Sequence, residues 1–268
     1  MGLPPAGNDR AAIVTGASSG IGEQFARILT QRGYQVVLVA RSADRLEEIA
    51  GRLGEKARPL PADLSDRNDR ASLLDRVTAL GLTPDILVNN AGLSTLGVVA
   101  KSVPEKELNL VEVDVAAVVD LCSRILPGMV ERNRGAILNV ASVAAFGPLP
   151  GQAAYGAAKA FVLSYTHSMR GELRGTDVSV TALCPGPVDT GFGEAAGFSK
   201  EEADAALPRI MWVPADKVAL AGIDGLAAGK AVVVPGLANR ISSSLFRVAP
   251  PELMLPFLVR NHPATKQK

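Results

Sequence analysis

Three side chains in one short span are of the types that move protons. Ser142 is followed thirteen residues later by Tyr155, and four residues after that comes Lys159. The run "SVAAFGPLPGQAAYGAAK" places two prolines and two glycines between the serine and the tyrosine, which reads as a loop leading into a helix from about Gln152 to Leu173. On that helix Tyr155 and Lys159 are i and i+4, so phenol and amine share a face one turn apart. An ammonium beside a phenol favours the phenolate and draws the tyrosine below its ordinary pKa of about 10. A phenol tuned that way is a usable general acid and base. Ser142, at the end of the preceding strand, is placed to hold an oxygen of the reacting group. Alone, Y-x-x-x-K describes many solvated surface pairs, and it is the upstream serine and a second motif near the chain start that give it weight.

That second motif is "TGASSGIG", Thr15 to Gly22. Gly16, Gly20 and Gly22 allow a tight turn and a close approach to a pyrophosphate, and Ser18, Ser19 and Ile21 lie among them at the start of a helix. The plainer reading is an ordinary glycine-rich turn between a strand and a helix. Its place after the first strand favours a dinucleotide. The end of the second strand, "VLVARSADR", carries no acid for a ribose 2′-hydroxyl; Ala40 is followed by Arg41 and Ser42. Arg41 suits a 2′-phosphate, which favours NADP over NAD. The plainer alternative is a solvated arginine opening a helix capped by Asp44.

The elements that must hold these groups alternate along the chain. "AAIVTG", "YQVVLVA", "ILVNNAG", "GAILNVAS", "DVSVTALCPG" and "AVVVPG" read as strands. Between them, apolar residues recur at helical spacing, as at Phe25, Ile28 and Leu29 or Leu46, Ile49 and Leu53. A long helix runs to about Arg132, with Ser102–Glu105 as a capping box and Pro104 in its first turn. This rhythm predicts an α/β fold: one doubly wound parallel sheet of Rossmann type in a single domain, 1–268, with right-handed crossovers. The core spans about 10–236, residues 191–213 read as an inserted lid, and 237–268 form a C-terminal extension.

Composition excludes several other classes. With 268 residues and a net charge of +1, the chain has no bulk electrostatic footprint for nucleic acid. Cys122 and Cys184 sit in apolar segments and read as buried free thiols; His167 and His262 have no ligand spacing around them, so no metal site is expected. No secretory h-region and no stretch of about 18 uninterrupted apolar residues is present, so a cytoplasmic protein is expected.

Taken together the motifs resemble the short-chain dehydrogenases/reductases, in their single-domain branch, from about Arg10 to Gly236. "TGASSGIG" is similar to that family's cofactor motif. "NNAG" (Asn89 with Asn90, Ala91 and Gly92) is similar to its motif after the fourth strand, and "DLSD" resembles the adenine contact, at Asp63 and Leu64. "PGPVDT" resembles the nicotinamide loop, with Pro185, Gly186, Val188 and Thr190. The resemblance implies hydride transfer, with Tyr155 as general acid/base, Ser142 orienting the substrate oxygen and Lys159 holding the nicotinamide ribose. It also implies a homodimer or homotetramer built on the two long helices. Two positions depart from the pattern. Asp114 stands where the family usually has asparagine, thirteen residues before Pro127. Its main chain would serve as well, but a carboxylate near Lys159 would push Tyr155 upward; the plainer reading is that Asp114 only keeps local helix geometry. Ser19 stands where many NADP-using relatives are basic, which leaves Arg41 as the 2′-phosphate contact.

Leu93, Leu96, Phe146, Leu149, Phe192, Met211 and Trp212 form the expected pocket wall and suit an apolar ketone or secondary alcohol, with an acyl chain or ring system among the options. The tail carries Arg240, Arg247, Arg260, Lys266 and Lys268 against Glu252, interleaved with apolar residues. It reads as helices over the pocket mouth or a subunit contact, with weak membrane-surface contact as the alternative. Against the oxidoreductase stands a non-catalytic NADP(H)-binding sensor or scaffold on the same fold. A sugar epimerase or dehydratase fits less well, since their glycine motif is spaced differently.

Overall fold

Strand β1 (Arg10–Thr15) and strand β2 (Gln35–Ala40) are apolar along almost their whole length and buried except at their ends. Such strands need cover on both faces, as in a parallel sheet sandwiched by helices. The computed structural model, which describes residues 2–195, 208–261 and Thr265, has that arrangement. β3 (Ala57–Pro61), β4 (Thr83–Asn89), β5 (Gly135–Val140), β6 (Val178–Leu183) and β7 (Val232–Val233) complete a parallel sheet in the order β3-β2-β1-β4-β5-β6-β7. β3 has too little apolar pattern to stand out as a strand, because Pro59 and Pro61 interrupt it. At the sheet edge those prolines are tolerated.

The helices α1 (Gly20–Gln31), α2 (Ala43–Leu53) and α8 (Ala215–Ala227) cover one face. α3 (Arg67–Ala79), α4 (Pro104–Val111), α5 (Ala117–Glu131) and α6 (Ala153–Glu172) lie toward the other. Short α7 (Phe192–Ala195), then α9 (Leu237–Val248) and α10 (Pro251–Asn261) follow β6 and β7 at the cleft mouth. Of the expected lid, residues 196–207 lie outside the described residues, as do Lys266 and Lys268 of the tail.

Three local expectations are corrected. The capping box at Ser102–Glu105 does not form: α4 starts with Pro104 at its first position after Val103, and the Ser102 hydroxyl donates instead to the Val99 carbonyl. α2 is preceded by Ser42 rather than capped by Asp44, which lies within its first turn. The long helix to Arg132 is interrupted by a wider π turn, Glu112–Ala116, between α4 and α5. One extra residue per turn rotates Asp114 inward, and such bulges recur at functional sites.

α6 carries Tyr155 and Lys159, and a buried polar chain sets its position on the sheet. Asn89 on β4 donates to Asn139 on β5 at 2.9 Å, Asn139 donates to Thr166 on α6 at 3.0 Å, and Thr166 donates to the Val162 carbonyl at 2.6 Å. All three side chains are buried, so each lost partner leaves a desolvated group unpaired. Replacing Asn139 by Ala is expected to lower the unfolding free energy by about 1–3 kcal/mol, read as a lower urea midpoint at unchanged slope.

Candidate active site

The glycine turn is held from below by the strand beside it. Gly16 has φ 63, a left-handed conformation that glycine adopts without strain, and a Cβ there would lie 2.9 Å from Ala91 Cα. The Thr15 hydroxyl accepts from the Asn90 and Ala91 amides at 2.9 and 3.0 Å. The Asn90 side chain returns a bond to the Thr15 carbonyl at 2.9 Å. "NNAG" therefore locks the turn as well as ending β4. Gly22 packs against the Gly16 carbonyl with no room for a side chain. From α2, Arg45 donates to the Ser18 carbonyl at 3.2 Å while pairing with Glu23 and Glu48. Sequence reading missed this brace, because nothing local marks Arg45 as different from any surface arginine.

At the other end, Ser142 follows β5 and its hydroxyl accepts from the Ala144 amide at 3.1 Å. Tyr155 is half-buried, feels the Ser142 hydroxyl beside it, and faces the Phe192 ring at 6.0 Å between centroids. The Lys159 ammonium lies 5.7 Å from the Tyr155 ring centroid. It donates to the Val140 carbonyl at 3.2 Å and pairs with Asp114 Oδ2 at 2.9 Å. Asp114 is 0% and Lys159 5% exposed. The second carboxylate oxygen, Asp114 Oδ1, accepts from the Leu93 amide at 2.6 Å. A Cβ on Gly92 would sit 3.1 Å from both Asp114 Oδ2 and Lys159 Nζ.

The electrostatics follow from this burial. Desolvation alone would depress the Lys159 ammonium, but Asp114 and Tyr155 outweigh it and hold Lys159 above its ordinary value. Desolvation pushes Asp114 up, against the pull of Lys159 and the Leu93 N–H. Tyr155 also lies above its ordinary value: burial raises it, Lys159 and Ser142 lower it, and Asp114 and Cys184 raise it again. The expectation that Lys159 would bring the phenol below its usual range is thus corrected for this state. The lysine charge is shared with a carboxylate, and the phenol sits in a water-poor place. The Asp114 side chain does more than keep local helix geometry, because both of its oxygens hold the site together.

The two ends face one cleft of about 1870 Å³, at the C-terminal edge of the parallel strands, where α/β sheets place their ligands. Gly16, Ser18, Ser19, Gly20 and Ile21 line it with Arg41 and Ser42; so do Asp63 and Leu64, Asn90 to Gly92, and Pro185, Gly186, Val188 and Thr190. Ser142, Tyr155 and Lys159 form its inner part, beside Leu93, Leu149, Phe192, Met211 and Trp212. Asp114 and Gly22 lie behind the wall. Leu96 and Phe146 do not line the cleft: Phe146 packs on the core beneath the Arg247 guanidinium, 4.3 Å from its ring centroid. Asp63 sits below its ordinary value. Burial works against this, and the Ser65 hydrogen bonds and the Arg41 charge outweigh it.

Sequence reading missed several wall residues. Ser94 and Gln152 are joined by a 2.7 Å hydrogen bond, and Ser242, Ser243, Phe246 and Leu258 come from α9 and α10. The tail residues had no motif to mark them, and only folding back over the mouth makes them part of the pocket. The groups present suit a dinucleotide: glycine amides at a helix start for a pyrophosphate, Arg41 for an anion at one end, and the space against Gly92, Lys159 and Tyr155 at the other.

Comparison with known proteins gives a consistent set of relatives. The family model described as short chain dehydrogenase matches residues 10–200. An NADP-dependent 3-hydroxy acid dehydrogenase from Salmonella typhi is 34% identical over 216 residues, covering 75% of this chain and 87% of that one. Among solved structures, a short-chain dehydrogenase from Sphingobium yanoikuyae in complex with NADPH is 32% identical with a TM-score of 0.78, over 88% of this chain and 92% of that one. A 3-ketoacyl-(acyl-carrier-protein) reductase from Brucella melitensis complexed with NADH is 29% identical with a TM-score of 0.77, over 85% and 97% of the two chains.

Proposed function

The chain belongs to the short-chain dehydrogenase family and is an oxidoreductase acting on CH–OH or C=O groups, and from that premise we propose that it is an NADP(H)-dependent reductase or dehydrogenase of an apolar carbonyl or secondary alcohol. The observation that carries this reading is the meeting of Ser142, Tyr155 and Lys159 in the cleft whose far end holds the glycine turn and Arg41. When bound, the dinucleotide supplies or accepts the hydride. The remaining work belongs to this chain. The Ser142 hydroxyl holds the substrate oxygen, and the Tyr155 phenol gives that oxygen a proton in reduction or takes it in oxidation. Lys159 stabilises the phenolate that results and holds the nicotinamide ribose. Asp114 anchors Lys159 from behind and is a positioning residue. Arg41 supports NADP because no acid stands at the end of β2 to compete for a ribose hydroxyl.

The substrate side is lined by Leu93, Leu149, Phe192, Met211, Trp212 and Phe246, which supports an apolar body around the reacting carbon. The Ser94–Gln152 pair supplies a polar point at the rim. We propose pairing of subunits through the outer faces of α4–α5 and α6, where Leu108 and Phe161 are exposed.

Three outcomes test this reading. NADPH is expected to be oxidised in the presence of apolar ketones, followed by nicotinamide absorbance, and Tyr155→Phe is expected to lower kcat by roughly 10²–10⁴-fold while leaving NADPH binding intact; no turnover by the wild type across a broad ketone panel would sink it. Arg41→Ala is expected to weaken NADPH binding by roughly 10- to 100-fold with little effect on NADH, measured by fluorescence titration; equal effects on both would remove Arg41 from cofactor choice. Asp114→Asn takes away a charge that raises Tyr155. The pH at which alcohol oxidation reaches half its plateau should therefore move lower, and a pH profile that does not move would restrict Asp114 to structure.

A further inference from the structure

Helix α9 is turned the opposite way from an ordinary surface helix. Its inward face is Asn239, Ser242, Ser243 and Phe246, with Asn239 and Ser243 buried and the other two lining the cleft. Asn239 donates to the carbonyls of Met211 and Pro235 at 2.9 and 3.0 Å, tying α9 to the base of the lid and to the end of β7. The aliphatic residues point outward instead. Leu237, Ile241, Leu245 and Val248 follow the spacing i, i+4, i+8, i+11, which keeps them within roughly 80° of arc. They are 63–78% exposed. α10 continues the pattern: Leu258 lines the cleft and Met254 lies beside Gly147, while Leu253 and Val259 are exposed.

This orientation is imposed from inside, because the polar anchors of α9 leave its aliphatic stripe no core to enter. An exposed apolar stripe of this length marks a surface that meets something else. The charges beside it indicate what. Residues 237–261 carry Arg240, Arg247 and Arg260 against the single acid Glu252. Arg240 and Arg247 flank the stripe on one side, at the boundary between its apolar and polar faces. A second copy meeting this face by two-fold symmetry would set like charge against like charge, since such an interface presents the same patch to itself. An anionic lipid surface offers the complement to both features: apolar depth for the aliphatics, and headgroup charge for the exposed Arg240 and Arg260, whereas the Arg247 guanidinium is turned in over the Phe146 ring.

We infer that α9 and α10 form a docking face for a membrane surface bearing anionic headgroups. The same helices wall the cleft, so the face that meets lipid stands beside the substrate entrance, and an apolar substrate would pass from the bilayer into the pocket along Phe246 and Leu258. Docking itself does not depend on which substrate the cleft accepts.

The test is flotation of the full chain with phosphatidylcholine vesicles, with and without phosphatidylglycerol. Association with the anionic vesicles is expected to exceed that with neutral ones by roughly tenfold, and to fall as salt is raised. Ile241→Asp with Leu245→Asp should abolish it, and Arg240→Glu with Arg260→Glu should remove the anionic preference. None of these residues lines the cleft, so each variant should keep its NADPH binding and its melting temperature, which shows that it is folded. Absence of flotation in the wild type, or flotation indifferent to lipid charge or to both variants, would overturn the inference. So would a sedimentation mass without lipid that halves in the Ile241→Asp variant, which would assign the stripe to a second copy.

Discussion

The pairing of the Asp114 carboxylate with the Lys159 ammonium, both cut off from water, constrains most of what surrounds it. Two buried ions are tolerable only when each is met by its opposite and by further polar groups. The fold supplies these with the Val140 carbonyl for Lys159 and the Leu93 amide for Asp114. To bring Asp114 there, the helix between α4 and α5 widens into a π turn. Beside the pair, the absence of a side chain on Gly92 keeps space open, since a Cβ there would crowd Asp114 Oδ2 and Lys159 Nζ at 3.1 Å. Removing one partner would strand the other charge, a cost of about 3–5 kcal/mol in comparable buried pairs. Lys159 and its neighbour therefore act as a structural joint between β4, β5, α6 and the π turn. The chemistry inherits its rigidity from that joint.

The same pair explains the state of the phenol. In a polar, wet site, Lys159 alone would draw Tyr155 toward its anion. Here burial is the largest influence on Tyr155, and the nearby carboxylate offsets part of the lysine's pull. A raised phenol keeps its proton and remains a hydrogen-bond donor toward the cleft. At the far end of the cleft the logic is one of backbone rather than charge. Thr15, Asn90 and Arg45 hold the glycine turn in place through bonds to its carbonyls and to the strand beside it. Backbone held in this way is pre-organised, which lowers the ordering cost of binding a ligand there.

The extension after β7 joins the two themes. Asn239 is buried under Gly186 of the loop after β6 and bonds to the base of the lid. Its inward polar face completes the pocket, and as a consequence its aliphatic face is left to solvent. Geometry that serves the cleft thus produces a surface of a different character on the outside.

Much of this was legible in the residue order. Short apolar runs mark six of the seven strands. The glycine turn, Arg41, Ser142 and the i, i+4 pair of Tyr155 and Lys159 are local patterns whose geometry follows from helix and turn rules alone. What escaped depends on contacts between segments far apart in the chain. β3 is recognisable only once its prolines are seen to lie at an edge. The failure of the Ser102 capping box depends on a competing bond to Val99. The brace from Arg45, the place of Phe146 on the core and the use of Ser242, Ser243 and Phe246 as pocket wall all require segments to meet. Asp114 shows the division most clearly. The sequence by itself determined that an acid stands there, and left open whether its charge acts on Tyr155 or the residue only keeps local helix geometry. Only the tertiary structure decided that the helix would widen to bury it, that Leu93 would share it, and that Lys159 would spend its charge on it, because burial and pairing are properties of the assembled site and not of any one stretch of chain.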